Sequence, residues 1–184
     1  EGQGDRREMS ALVSARMYDP MEWTEYLHMV QTKDLNFMGI VHGGVLMTLM
    51  DEAAGVACLR FAQRKMWTVL VSDLKFVGAV VPGDLLKAYS RVAFAAEQSC
   101  EVQLCVYAEK MRTLESRLVC TAWYTFASAS DDRASALPSL DPRTPAQQAL
   151  HACGRERYLL RKQQREDSLT PTPKLEDTVP SAKL

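Results

Sequence analysis

Apolar residues run almost unbroken from Val45 to Leu59, interrupted only by Thr48, Asp51, Glu52 and Gly55. A helix of that composition is greasy nearly all round and is expected to be buried, yet it carries a carboxylate. The pattern predicts helix from about Gly44 to Arg64, ending among Arg60, Arg64 and Lys65, whose charges suit the negative end of the dipole. Ahead of it, Tyr26, His28 and Val30 alternate with Leu27 and Met29, which reads as a first strand over 24–30. Residues 32–39 form a loop that holds Asn36. Beyond the helix the period changes to two. Thr68 to Val77, Leu85 to Ala96, Cys100 to Ala108 and Leu118 to Phe126 read as four consecutive strands. Pro82-Gly83 fits positions i+1 and i+2 of a type II turn, and the stretches 96–99 and 111–113 are hairpin-sized, so the sheet is mainly antiparallel.

Several strands are apolar on both faces, notably the last, where Val119 and Trp123 oppose Cys120, Ala122 and Tyr124. One face can pack on the helix and the other needs a cover. No later sequence supplies another sheet, so the expected cover is a second copy of the chain, making at least a homodimer. Four segments follow: a flexible stretch over 1–20, a core domain over 21–128, a linker and basic helix over 129–166, and a disordered tail over 167–184 containing Pro171, Pro173 and Pro180. The helix is expected from about Pro145 to Arg165. Its run from Arg155 to Arg165 is read as a solvated face, with contact to an anionic ligand as the minority reading. No internal repeat is present.

Composition removes several classes. Net charge is −1 over 184 residues, which offers no global electrostatic footprint for nucleic acid. No apolar run reaches the roughly 20 residues of a membrane span, since Asp51 and Glu52 break the longest one, and the chain is read as soluble. Five cysteines without Cys-x-x-Cys spacing look like small buried hydrophobes and suggest a reducing compartment, the cytoplasm. The chain begins without methionine, so a trimmed or processed form is expected, and a mitochondrial form freed of its transit segment is kept as the alternative to the cytoplasm. His28, His42 and His151 never fall in His-x-x-x-His spacing, so no metal site is expected.

The chemistry is expected around the predicted helix start. At helical spacing Asp51 lies within about 20° of Gly44, whereas Glu52 is about 80° away. Gly44, Thr48, Asp51 and Gly55 therefore form a narrow polar and small-residue stripe. Free N–H groups near Gly43 and Gly44, at the positive end of the dipole, would attract an oxygen gaining negative charge, with the carboxylate two turns below. The structural alternative is a buried Asp51 bonded to a backbone turn, with Gly43-Gly44 merely the sharp entry to a helix. Spacing alone does not choose between the two readings. His42 reads as a hydrogen-bonding support of the loop.

The motif Asn-x-x-Gly-x-Val-His-Gly-Gly-x-x-Met-x-x-Met-Asp-Glu at 36–52, with Pro-Gly-Asp at 82–84, resembles the acyl-CoA thioesterase family, most nearly the cytosolic long-chain hydrolases with two tandem domains. The likeness covers roughly residues 21–165. It implies an α+β hotdog fold, a bent antiparallel sheet wrapped around one central buried helix. It also implies hydrolysis of medium- to long-chain acyl-CoA thioesters to fatty acid and CoA. The family pattern places Asn36 and Asp51 as the catalytic pair, delivered from opposite sides of a domain interface. In the tandem enzymes each domain keeps one of the two, whereas this chain has both. That departure predicts a symmetric homodimer with two sites, further assembled as a trimer of dimers, unless the chain is one half of a longer protein.

On this reading Asp51 is general base or nucleophile, Asn36 orients water or thioester, and N–H groups of Gly43, Gly44 and Val45 hold the oxyanion, with His42 and Thr48 lining the substrate. No cofactor is implied beyond the CoA of the substrate. The acyl chain would lie near Met47 and Met50. Cations for the CoA phosphates would come from Lys65, Arg91, Lys110, Arg112 or the 155–165 helix. Two rivals are carried: a hotdog hydratase or dehydratase, which would recruit His42 with an acid, and a non-enzymatic acyl-CoA binding protein. The helix-turn-helix segment of a DNA-linked sensor is missing from the pattern.

Overall fold

The computed structural model describes residues 18–129 and 135–167, with side chains to 165. Of the expected flexible stretch 1–20, residues 1–17 lie outside the described residues, as do 168–184 of the tail and 130–134 of the linker, whereas Tyr18 donates to the Ala57 carbonyl (3.2 Å) and the Pro20 carbonyl accepts the Val92 N–H (2.8 Å). The elements are β1 (Thr24–Met29), a 3-10 turn (Thr32–Asp34), α1 (Gly43–Ala62), β2 (Met66–Phe76), β3 (Asp84–Ala95), β4 (Ser99–Lys110), β5 (Ser116–Ser128) and α2 (Pro145–Asp167). All pairings are antiparallel, in the order β1-β3-β4-β5-β2. Because β1 and β2 sit at opposite edges, the segment joining them must cross the whole sheet, and that segment is α1. The sheet curls around it in the hotdog arrangement.

Local chemistry sets the helix ends. His42 is extended, and its Nδ1 accepts a hydrogen bond from the Gly44 N–H (3.0 Å), so the imidazole is the N-cap. Gln63 adopts a left-handed φ of 51° and its N–H returns to the Leu59 carbonyl (2.9 Å), closing the last turn. Between β2 and β3, Gly83 takes φ +88°, as a type II turn after Pro82 requires.

The core lies between α1 and the inner sheet face: Leu46, Leu49, Met50, Ala53, Ala54, Ala57, Cys58 and Phe61 against Leu86, Ala88, Val92, Val102, Leu104, Val106, Ala122 and Tyr124. Ser90 Oγ donates to the Ala53 carbonyl (2.8 Å) and the Cys58 and Cys100 sulfurs are 3.6 Å apart, tying the middle of the helix to β3 and β4. Small residues at 53, 54 and 57 let backbone and sheet approach closely.

Two expectations are corrected. α1 is not buried all round: Met47, Asp51, Glu52, Val56 and Leu59 are exposed, because one curled sheet covers only one side of a rod. Nor does the outer sheet face wait wholly for a second copy, since α2 packs on it. A Cβ at Gly154 would lie 2.7 Å from the Phe94 Cβ, and the rings of His151 and Tyr158 flank Phe94 at 5.2 and 5.4 Å. The basic run is accordingly not a purely solvated face. Arg157 pairs with Asp73 (2.6 Å), and Arg161 pairs with Glu101, which is 1% exposed and also accepts from Thr125. The stretch 135–144 is also pinned. Leu137 is buried, its N–H bonds the Glu97 carbonyl (2.8 Å), and Arg64 donates to the Ser135 and Ala136 carbonyls (2.6 and 2.8 Å).

Candidate active site

Asp51 lies on the uncovered side of α1, where its Oδ1 accepts a hydrogen bond from Thr68 Oγ1 at 2.8 Å. It is therefore exposed in the single chain and not the sunken carboxylate that the apolar run suggests. Thr68 reaches it because antiparallel partners share a face. Thr68 pairs with Phe126 and Val71 with Tyr124, both inward residues of β5, so Thr68 also looks towards α1. Tyr124 sits close enough to respond to this carboxylate: burial first, then the charge of Asp51 and the neighbouring Cys120, raise its phenol above the ordinary value of 10.0. Glu52 has a different use, accepting from the Tyr26 hydroxyl (2.9 Å) to brace β1 against the helix.

The loop preceding α1 is held firmly. Asp34, 4% exposed, accepts from the Gln31 N–H (2.8 Å) and contacts His28 Nε2 (2.9 Å), while its carbonyl takes the His42 N–H (2.8 Å). The Gln31 N–H first, and the His28 contact second, hold its carboxyl below the ordinary 3.8. Leu35 bridges to Val41, the Asn36 N–H bonds the Ile40 carbonyl (2.8 Å), and Asn36 Oδ1 accepts from the Met38 and Ile40 N–H groups (2.9 and 3.4 Å). The loop is an Asx-type turn with Gly39 at φ +76°, and the Asn36 carbonyl oxygen is spent while its NH₂ donors remain. The turn presents Phe37, 97% exposed. Within one protomer the described contacts do not join Asn36 to Asp51.

The helix start differs in detail from the sequence reading. The Gly44 N–H is taken by His42 Nδ1 and the Val45 N–H by the His42 carbonyl (2.9 Å), leaving Gly43 as the open backbone donor among the described contacts. Thr48 Oγ1 donates back to the Gly44 carbonyl (3.0 Å), so it can only accept from a ligand. Phe76 stands against Gly43, 3.7 Å from where a Cβ would be. His42 thus spends one ring nitrogen on capping. Among the described residues the His–carboxylate contact is His28–Asp34, not one made by His42.

The proposed phosphate-binding cations scatter. Lys110 pairs with Glu115 (3.2 Å), and Arg112 rims a mostly apolar cavity of about 540 Å³ with Met29, Val81 and Met111. Lys162 and Arg165 line a cavity of about 270 Å³ with Ser99, Thr125 and Val69, the neighbour of Thr68. Arg91 lies on the outer sheet face. Thr68 itself was missed by the sequence reading, because only the β2–β5 register reveals that it faces α1.

Residues 38–115 match the model of the thioesterase superfamily. Over that stretch the chain is similar to the superfamily, and its fold is the hotdog arrangement. It is 29% identical over 150 residues to the cytosolic acyl coenzyme A thioester hydrolase of Homo sapiens, a match covering 80% of this chain and 40% of that protein. The chain thus spans less than half the length of this relative. A solved hexameric acyl-CoA thioesterase superposes with TM-score 0.70 at 22% identity, covering 84% of this chain and 98% of the other. The acyl-CoA hydrolase of Staphylococcus aureus, solved with butyryl coenzyme A and coenzyme A, gives TM-score 0.70 at 21% identity over 80% of this chain and 91% of that one. That protein has also been solved as separate alanine variants of an asparagine, an aspartate 15 positions later and a threonine 17 positions beyond that. Among the described residues no helix is long and apolar enough to cross a membrane.

Proposed function

We propose that the protein hydrolyses acyl-CoA thioesters in an oligomer whose site joins Asn36 of one protomer to Asp51 and Thr68 of another. The observation that carries the reading is the Thr68–Asp51 hydrogen bond on the uncovered side of the central helix. Asn36, Asp51 and Thr68 also stand at intervals of 15 and 17, those of the asparagine, aspartate and threonine replaced in the Staphylococcus aureus hydrolase.

The oligomer has a physical motive. β2 is an 11-residue edge strand with Trp67, Val69, Leu70 and Phe76 exposed, a template for pairing with another copy, and α1 leaves Met47, Val56 and Leu59 uncovered beside it. Covering that side would exclude water from Asp51. The spare NH₂ donors of Asn36 would then hold the attacking water or the thioester of the facing protomer.

In the chemical step Asp51 takes a proton from water as the new C–O bond forms, and the carbonyl oxygen becomes an oxyanion near the Gly43 N–H. Collapse breaks the C–S bond, and CoA leaves as the thiol once it gains that proton. Thr68 fixes the carboxylate so that its second oxygen faces the water. The residues alone suffice for this route, with no cofactor beyond the CoA of the substrate and no metal. The homodimer, its assembly as a trimer of dimers, a preference for medium to long chains and a cytoplasmic setting belong to the same proposal. Release of CoA thiol from palmitoyl-CoA and butyryl-CoA, measured for wild type, Asp51→Ala, Asn36→Ala and Thr68→Val, tests it. Wild-type rates in the folded Asp51 or Asn36 variant would refute it.

A further inference from the structure

One end of the sheet carries exposed apolar side chains that neither the core nor the proposed reaction uses. The register gathers three segments there: Met29 pairs with Leu85, Asp84 pairs with Lys110, and the β4–β5 hairpin turns between Lys110 and Ser116. Met29, Val81, Pro82 and Met111 surround the open cavity of about 540 Å³, with Lys110 and Arg112 beside them. Met29 is 59% exposed, Met111 48% and Leu114, at the hairpin tip, 69%.

Leu114 is the unusual residue of this end. The hairpin closes with the Thr113 and Leu114 N–H groups on the Lys110 carbonyl (3.2 and 2.8 Å), and Leu114 takes a left-handed φ of 59°. Hairpin loops favour glycine or asparagine in that conformation, because a bulky side chain crowds its own backbone there. A leucine that bears this strain and still leaves most of its side chain in water serves neither the turn nor the core. A surface that buries the tip gives it a use.

The charges say which surface. The carboxylates of this end are matched, Asp84 by Arg117 (2.6 Å), Glu109 by Lys87 (2.5 Å) and Glu115 by Lys110 (3.2 Å). Arg112 and Lys33 make no ion pair among the described residues, and Lys33 is exposed three residues past Val30, which lines the cavity. The apolar tip is therefore flanked by an excess of positive charge. Two such ends brought together from two copies would set like charges against each other. An anionic headgroup layer with hydrocarbon beneath it complements both the cations and the tip. We propose that this end of the sheet docks on an anionic lipid bilayer, with Leu114 and Met111 entering the boundary between headgroups and acyl chains and Arg112 and Lys33 meeting lipid phosphates. The docking is peripheral, and no element crosses the bilayer.

Co-sedimentation of the full chain with vesicles of phosphatidylcholine and phosphatidylserine, in a ratio of about 3:1, against vesicles of phosphatidylcholine alone tests the docking. The expected result is binding to the anionic vesicles that weakens as salt is raised, with little binding to the neutral ones. A basic residue at an anionic surface is worth about fivefold in partitioning, so Arg112→Gln should weaken binding by about that factor. Leu114→Asn should weaken it at least about tenfold while Tm stays level or rises, since asparagine accepts the left-handed backbone. No binding at about 5 mM lipid, equal binding to neutral vesicles, or wild-type binding by both folded variants would overturn the proposal. Binding of dispersed oleate without binding of vesicles would put a single amphiphile in the cavity, and a lower mass in solution for Leu114→Asn would put a second copy on this end; either result overturns it as well. Vesicle binding is read without turnover, so it stands or falls separately from hydrolysis.

Discussion

Replacing Gly154 with Ala sets two effects against each other. Ala is the better helix former by about 0.8–1 kcal/mol in a helix interior. The added methyl, however, would lie 2.7 Å from the Phe94 Cβ, 3.1 Å from the Ala93 Cβ and 3.2 Å from the Ala93 carbonyl carbon. Carbon atoms rest at about 3.5–4.0 Å, so the shortfall at Phe94 is close to 1 Å. None of the three atoms is the free end of a side chain, and β4 holds β3 on either side of Ala93, pairing Val92 with Val102 and Phe94 with Glu101. The strand cannot yield, so α2 must lift. Such overpacking costs about 1–3 kcal/mol. Lifting also opens the Phe94 contacts with His151 and Tyr158 and lengthens the Arg157–Asp73 pair. The net expectation is a loss of about 1–2 kcal/mol, or a fall in Tm of roughly 2–8 °C for a domain of this size. Urea denaturation at unchanged m, backed by calorimetry, reads the effect, with Cys153→Ala at the exposed neighbouring position as control. An unchanged or higher midpoint would refute the close docking of α2 on β3.

Other predictions concern the site and its frame. Thr68→Val removes a hydroxyl bond to a charged acceptor, worth about 1.5–3 kcal/mol when water is excluded, so kcat/KM should fall about 10- to 150-fold, with Thr68→Ser retaining most of it. His42→Ala should cost about 0.5–2 kcal/mol of stability through the lost cap, seen in denaturation, while hydrolysis falls less than in Thr68→Val. A pH effect follows from Asp84. Burial would raise its carboxyl, but Arg117 (2.6 Å) and the Val81 N–H (3.0 Å) overcome it and hold the group below the ordinary 3.8. The unfolded chain then takes up this proton first as pH falls. The stability is therefore present above about pH 4 and is lost as pH drops through the folded value. Urea midpoints between pH 7 and 3 should show a shallower acid slope in Asp84→Asn.

The hotdog architecture was legible because its signals are local: alternation marks β2 to β5, the apolar run marks α1, and Pro82-Gly83 marks the turn. Asn36 and Asp51 were legible as positions, but their surroundings were not. The run from Val45 to Leu59 is apolar on every side, so nothing in it says which side the sheet covers, and Asp51 was read as buried. Thr68 lay hidden because its meeting with Asp51 depends on the register of β2 on β5 and on the break between Thr68 and Leu70. The fate of the Gly44 N–H turned on a histidine rotamer. The docking of α2 depended on Gly154 meeting Phe94, a contact across sixty residues of chain whose only sequence trace is one glycine inside a helical pattern.

The central claim is that the site is shared between protomers, and complementation tests it. Asp51→Ala and Asn36→Ala chains are each prepared, shown to be folded and inactive, then unfolded and refolded together, and CoA release is measured. With random pairing, half the dimers are mixed and each mixed dimer has one complete site, so activity should return to about a quarter of wild type per chain. A co-refolded mixture of proven mixed oligomers that stays as inactive as its components would contradict the account.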